Sequence, residues 1–178
     1  MQHFITTFDT IITQYITSWA PTLRPLFLLV TTLGSPVATM TIGGGIALYG
    51  YFHANLRLAI AGIAIWLTIG TGAIIKLIIA RERPLTEYAA NLALATHSFP
   101  SGHTSGSTVA YGLLAYLAWQ LIPQPLGSIV VIALIVLIIF IGISRVYLGA
   151  HFPSDIVGGW LLGAIVLCGI IVIVRPSI

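Results

Sequence analysis

What most limits this fold is a series of apolar runs long enough to cross a bilayer: Leu26 to about Tyr51, Leu58 to Ile79, about Thr104 to Leu121, Leu126 to Ile143, and about Ser154 to Val174. Roughly 20 apolar residues span the hydrocarbon core as a helix. Charge is too scarce for a water-facing surface. A soluble domain carries about a quarter charged residues, whereas only 6% of these 178 residues are charged and 58% are hydrophobic. The expectation is an all-α integral membrane helical bundle of about five transmembrane helices, forming a single domain over residues 1–178.

Ahead of the first run, Phe4, Ile5, Phe8, Ile11, Ile12, Tyr15, Ile16 and Trp19 recur at helical spacing, with Thr6, Asp9, Thr10, Thr13, Gln14 and Thr17 opposite. That pattern predicts an amphipathic helix within residues 1–22 lying in the membrane interface, with Trp19 at headgroup depth. Pro21 and Pro25 end it. The segment lacks the basic start, compact apolar centre and cleavage site of a signal peptide. Within the first span Gly34, Ser35 and Pro36 predict a kink, and Gly43, Gly44 and Gly45 predict a close helix neighbour. The single cysteine, Cys168, excludes an internal disulfide and reads as a small apolar side chain. A formal charge of +3 resting on so few groups, in a membrane chain, gives no expectation of a nucleic-acid partner.

Five crossings place every marked polar cluster on one side: the end of the second span, the start of the third, and the junction of the fourth and fifth. The opposite side receives His53 to Arg57, Ile122 to Gln124 and Arg175. The remaining basic residues, Arg57 and Arg175 against Arg24 and Arg81, divide evenly, so charge leaves the orientation open.

The clusters hold the chemistry. Ser144 to Asp155 reads Ser-Arg-Val-Tyr-Leu-Gly-Ala-His-Phe-Pro-Ser-Asp. Pro153 suits a first helical turn, so His151 falls at a helix start and Asp155, four residues on, is placed to face it. Free N–H groups at a helix start favour an anion. Lys76 lies near the end of an apolar run, where a cation serves a site or snorkels to the headgroups. Arg83 follows at close to two helical turns, along the same face, although Arg81-Glu82-Arg83 also fits a solvated ion-pair cluster. Phe99-Pro100-Ser101-Gly102-His103 opens the third span, with Ser101 a natural N-cap and Gly102 letting a ligand approach the backbone. Taken alone, an ordinary capped helix with an interfacial histidine fits that block too.

Together, Lys76-x6-Arg83-Pro84, Pro100-Ser101-Gly102-His103 and Ser144-Arg145-x5-His151-x3-Asp155 match the signature of the type 2 phosphatidic acid phosphatase superfamily. The chain resembles a compact bacterial-type membrane member, closely over the motif core 76–155. Members often have six spans, where this chain shows five and an interfacial helix. The resemblance implies a metal-independent phosphatase acting on a lipid phosphate or diphosphate. Such cleavage depends on holding the transferred group's charge and placing a nucleophile in line. Lys76, Arg83 and Arg145 are expected to supply cations, with Ser101 and the Gly102 N–H completing the phosphate cradle. His151, oriented by Asp155, is the expected nucleophile. His103 is the expected general acid, later activating water against phospho-His151. The resemblance implies the same roles.

No cofactor or metal is expected, because the chain has no carboxylate cluster or His/Cys set of the kind zinc or magnesium takes. Glu82 and Glu87 read as loop solvation and His97 as an interfacial residue, while His3 and His53 have no supporting neighbours. The resemblance favours undecaprenyl diphosphate as substrate, with phosphatidylglycerophosphate or phosphatidic acid as alternatives. It implies a multi-pass protein of the cytoplasmic membrane with its site on the outer face, partnered by lipid substrate and bilayer; the oligomeric state is left open. Two readings from other classes compete. A vanadium haloperoxidase has a similar site, but those relatives are soluble. A non-catalytic lipid-binding module implies a degenerate site, whereas both histidines and Asp155 are present.

Overall fold

The computed structural model describes residues 2–91 and 97–175. The expected polar connection from Arg81 to Phe99 is therefore described on both sides of residues 92–96, which lie outside the described residues. The described residues form helices and no strands: α1 (Gln2–Thr17), a short turn of 3₁₀ helix (Pro21–Leu23), α2 (Arg24–Leu33), α3 (Pro36–Phe52), α4 (Leu56–Ile79), α5 (Glu87–Ala90), α6 (Gly102–Leu121), α7 (Leu126–Tyr147) and α8 (Pro153–Val174).

The expected kink splits the first apolar run into α2 and α3. Ser35 accepts the Ala38 N–H at 3.2 Å as the N-cap of α3, and Pro36 takes its first position. Among the described residues, four segments are long and apolar enough to cross a membrane: Pro21–Phe52, Leu56–Ile79, Leu126–Tyr147 and Pro153–Val174. Helix α6 is comparable in length but different in kind. It packs against α3, α4, α7 and α8, and Thr104, Ser105, Ser107 and Thr108 are all buried in it. Protein rather than lipid surrounds these hydroxyls, and Ser107 and Thr108 donate back to the Thr104 carbonyl at 3.1 and 2.7 Å. A central helix needs little apolar surface of its own. Ala61, Ile65, Val109, Ala110, Leu113, Ile170 and Val174 form the core around it, while Ile129, Ile132, Ile135, Val136 and Ile139 of α7 are exposed, as lipid-facing residues would be.

Close packing of α6 on α8 positions the polar end of the bundle. A Cβ on Gly159 would stand 2.8 Å from the Ser101 carbonyl oxygen, and one on Gly163 would stand 2.6 Å from Thr108 Cβ. Only glycine lets the two helices lie this close. The starts of both helices then meet, and the Ser101 N–H donates to the Asp155 carbonyl at 3.1 Å. Of the Gly43-Gly44-Gly45 triplet, Gly43 alone is buried and faces the Gly62 carbonyl of α4.

Helix α1 packs against α7 and α8. Ile12, Ile16 and Trp19 join Val146, Tyr147, Ile156 and Trp160 in a satellite core, while Phe4, Ile5, Ile11 and Tyr15 stay exposed. The apolar residues are thus divided between the bundle and its surroundings. Asp9 departs from the spacing-based expectation. Placed on the polar face with Thr6 and Thr10, it is instead 3% exposed. It shares a face with Ile12 and Ile16, three and seven positions on, and an internal cation receives it (below).

Candidate active site

Three segments distant in sequence are tied together at the polar end of the bundle. The 148–152 turn joins α7 to α8, and its Ala150 and His151 N–H groups both donate to the Arg145 carbonyl, at 2.9 and 3.2 Å. Gly149 has φ +73°, in the left-handed region, and a Cβ there would come 2.7 Å from Thr86 Cγ2. Both conformation and closeness call for glycine. The Thr86 hydroxyl donates to the Gly149 carbonyl at 2.8 Å and accepts the Ala89 N–H at 3.0 Å, capping α5. Arg83 Nη1 donates to the Ala150 carbonyl at 2.9 Å. These bonds hold Arg83, Arg145 and His151 in one place.

His151, 3% exposed, is flanked on both ring nitrogens. Arg83 Nη1 lies 3.3 Å from Nε2. A guanidinium only donates, so Nε2 keeps its lone pair and the ring proton sits on Nδ1. That Nδ1 is 3.4 Å from Asp155 Oδ2, an ion-pair distance but longer than a formed hydrogen bond. Asp155 is fully buried. Its Oδ2 accepts the Phe152 N–H at 2.9 Å, closing the first turn of α8, and its Oδ1 takes Arg81 Nη1 at 2.6 Å.

The remaining site residues surround this pair. Ser101 caps α6, accepting the Thr104 hydroxyl at 2.9 Å and its N–H at 3.4 Å. A Cβ on Gly102 would meet nothing within 4 Å, so space is open above the helix start. His103 follows, half-buried, with Arg145, His151, Arg83 and Lys76 within electrostatic reach of its ring. Lys76 Nζ donates to the His97 and Ser98 carbonyls at 2.7 and 3.1 Å, bracing the backbone that enters α6. Arg145 is 2% exposed. Its Nη1 donates to the Thr31 hydroxyl at 2.6 Å and the Tyr88 hydroxyl at 3.4 Å, and the Tyr88 ring centre is 5.7 Å away. Its Nε has no hydrogen-bond partner, and among the described residues no carboxylate pairs with it. The structure therefore gathers Lys76, Arg83, Ser101, Gly102, His103, Arg145, His151 and Asp155 at one end of the bundle. An uncompensated buried cation beside a helix start is a place for an anion.

Sequence reasoning missed Asp9 and Arg81 as members of this cluster, and Thr31 and Tyr88 as supports of Arg145. Asp9 is one of only four acidic residues in the chain, and that scarcity was the available signal. Glu82 is exposed in the connection, as expected of a loop residue, whereas Glu87, also exposed, is the first residue of α5. Among the described residues, no three His, Cys, Asp or Glu side chains gather in a metal-holding group. A cavity of about 580 Å³ lined by Ile5, Thr6, Ile79, Arg81, Phe99 and Ser154 opens on the α1 flank.

Burial pushes the His151 imidazole down from 6.5 to about 4; the Asp155 carboxylate pulls upward against it, and Arg145 and Arg83 push further down. Burial, with Arg145 beside it, also lowers Arg83. His151 is thus neutral near pH 7, with a nitrogen lone pair available. Between about 6.5 and about 4 an unfolded chain takes up a proton that the folded ring refuses. Stability should therefore fall as pH is lowered through that window. His151→Gln should flatten part of this slope in thermal melts of the detergent-solubilised protein; an unchanged slope would contradict the assignment.

Comparison with known proteins sets the site in context. A family model described as the PAP2 superfamily matches residues 57–178. Phosphatidylglycerophosphatase B of Bacillus subtilis (strain 168) is 33% identical over 106 residues, which cover 57% of this chain and 52% of that protein. A putative undecaprenyl-diphosphatase, YbjG, of Escherichia coli (strain K12) is 44% identical over 71 residues, covering 40% of this chain and 32% of that one. The chain thus spans about half the length of the first relative and about a third of the second. The crystal structure of a transmembrane PAP2 type phosphatidylglycerolphosphate phosphatase from Bacillus subtilis has the same fold. It gives a TM-score of 0.79 at 24% identity and covers 97% of this chain and 87% of that chain.

Proposed function

The chain belongs to the PAP2 superfamily, and from that premise we propose that it is a membrane lipid phosphatase working through a phosphohistidine on His151. The observation that carries this reading is the His151 ring itself. Its Nε2 faces Arg83 at 3.3 Å and its Nδ1 faces the buried Asp155 at 3.4 Å.

In the proposed first step the Nε2 lone pair attacks phosphorus and the bond from phosphorus to the leaving oxygen breaks. His103 donates its proton to that oxygen. Asp155 stabilises the positive charge on the phosphorylated ring, while Arg83, Arg145, Lys76, Ser101 and the Gly102 N–H hold the phosphoryl oxygens. In the second step water attacks phosphorus, His103 takes the water's proton, the phosphorus–nitrogen bond breaks, and inorganic phosphate leaves. Every group required belongs to the chain, so the reaction calls for no cofactor. Residues 1–178 act in this reading as one membrane-embedded unit, with residues 1–22 at the interface. Its partners are the bilayer and the lipid substrate.

Undecaprenyl diphosphate is the substrate we favour, with phosphatidylglycerophosphate and phosphatidic acid as alternatives; the names of the relatives support the first two of these three. We place the site on the outer face of the cytoplasmic membrane. The test is phosphate release by the purified protein in detergent with excess EDTA, on those three lipids. Release that EDTA leaves unchanged is expected, and the rates rank the substrates. No release from any of the three by folded protein would favour a lipid-binding module instead.

A further inference from the structure

We propose that Asp9 and Arg81 are positioning residues: helix α1 sets the Asp155 carboxylate, and through it the His151 ring, by way of a shared arginine. The inference rests on the phosphohistidine reading above.

Arg81 stands between two buried carboxylates. Its Nη2 donates to Asp9 Oδ2 at 2.6 Å and its Nη1 to Asp155 Oδ1 at 2.6 Å. Ser154 joins both, accepting from Arg81 Nη1 at 2.7 Å and donating to Asp9 Oδ2 at 2.7 Å. The Ser154 N–H, in the first turn of α8, donates to Asp9 Oδ1 at 2.8 Å. A carboxylate on α1 therefore supports the start of α8, the helix that carries Asp155. Phe152 covers the Arg81 guanidinium, its ring centre 4.5 Å away. With Oδ1 held by Arg81 and Oδ2 by the Phe152 N–H, the plane of the Asp155 carboxylate is fixed. Only then does Oδ2 face His151.

The charges carry a second consequence. Arg81 alone against Asp155 would cancel the negative field that His151 needs when its ring becomes positive. Asp9 supplies the balancing charge, so the trio keeps one net negative charge next to His151. The cations assigned to phosphate, Lys76, Arg83 and Arg145, make none of these bonds. Loss of Asp9 should therefore weaken the chemical step and leave phosphate binding alone.

The experiment measures kcat and KM separately for Asp9→Asn, on whichever of the three lipids wild type turns over fastest. Outer partners that orient metal-bound histidines contribute about 10- to 100-fold, and a carboxylate acting on His151 through Asp155 belongs at the low end of that scale. A fall in kcat on the order of 10-fold is expected, with KM within about twofold of wild type. In an Asp155→Asn background the same change should add nothing, since its effect passes through Asp155. An equal further loss there would mean a general structural role and overturn the proposal, as would a raised KM with unchanged kcat. Should Asp9→Asn fail to fold, Arg81→Lys keeps the cation but cannot span both carboxylates, and it should reproduce the kcat loss; unchanged kcat there overturns the proposal. His151→Ala separates the two readings. If it is inactive while Asp9→Asn is fully active, the clamp alone fails; if it is active, the phosphohistidine reading fails first.

Discussion

His151→Ala should reduce phosphate release by on the order of 10⁴-fold or more while the protein stays folded. Removing a nucleophile costs the covalent route outright, and only the binding and electrostatic contributions of the site survive. The fold has little reason to collapse. Arg83 keeps its bond to the Ala150 carbonyl, Asp155 keeps Arg81 and the Phe152 N–H, and the 148–152 turn is held by backbone bonds to the Arg145 carbonyl. The lost ring is buried, so a modest destabilisation from the cavity is expected. Steady-state turnover together with a thermal melt of the variant checks both halves. Activity within tenfold of wild type would remove His151 from the nucleophile's role.

The second large effect is expected at Arg145, and it has opposite signs for activity and stability. The guanidinium is buried, pairs with no described carboxylate, and leaves Nε without a partner. Holding a cation this way is costly in the empty protein and useful only when an anion arrives. Arg145→Met preserves the length of the side chain and removes the charge. It should lower kcat/KM by about 10²- to 10³-fold, the range found for losing one transition-state donor. It should also stabilise the substrate-free protein by on the order of 1 kcal/mol. The Thr31 and Tyr88 hydroxyls each lose an arginine contact, which limits the gain. A variant that is both inactive and less stable would show that Arg145 serves the fold before it serves a phosphate.

The contrast between Arg145 and Arg81 also explains what could be read without coordinates. Arg145, His151 and Asp155 lie in one short stretch, where spacing and a helix start bring them together, so the motif and the geometry carry the same information. Lys76, Arg83, Ser101, Gly102 and His103 needed only the count of crossings to reach the same side. The helices themselves followed from apolar length, and the kink at Gly34-Ser35-Pro36 from local chemistry. Asp9 was hidden for a physical reason. Helical periodicity sorts residues by polarity, and it put a carboxylate with the threonines; its buried position depends on Arg81, distant in sequence, bonding it at 2.6 Å. Arg81 read in sequence only as part of a solvated Arg81-Glu82-Arg83 ion-pair cluster, and tertiary contacts alone bring it to Asp9 and Asp155. The central position of α6 was equally indistinct. Small and hydroxylated residues describe a helix that other helices enclose, but composition alone does not name the neighbours.

These variants bear on the site from several directions, and one measurement addresses the covalent intermediate itself. Wild-type protein is mixed with the fastest of the three lipids, carrying labelled terminal phosphate, and quenched within a turnover in alkali, where a phosphoramidate survives. The protein is then digested and the labelled peptide sequenced by mass spectrometry. The account predicts label on His151, present with EDTA and absent from His151→Ala. Label on Ser101 or His103, or turnover with no covalent label at any quench time, would contradict it.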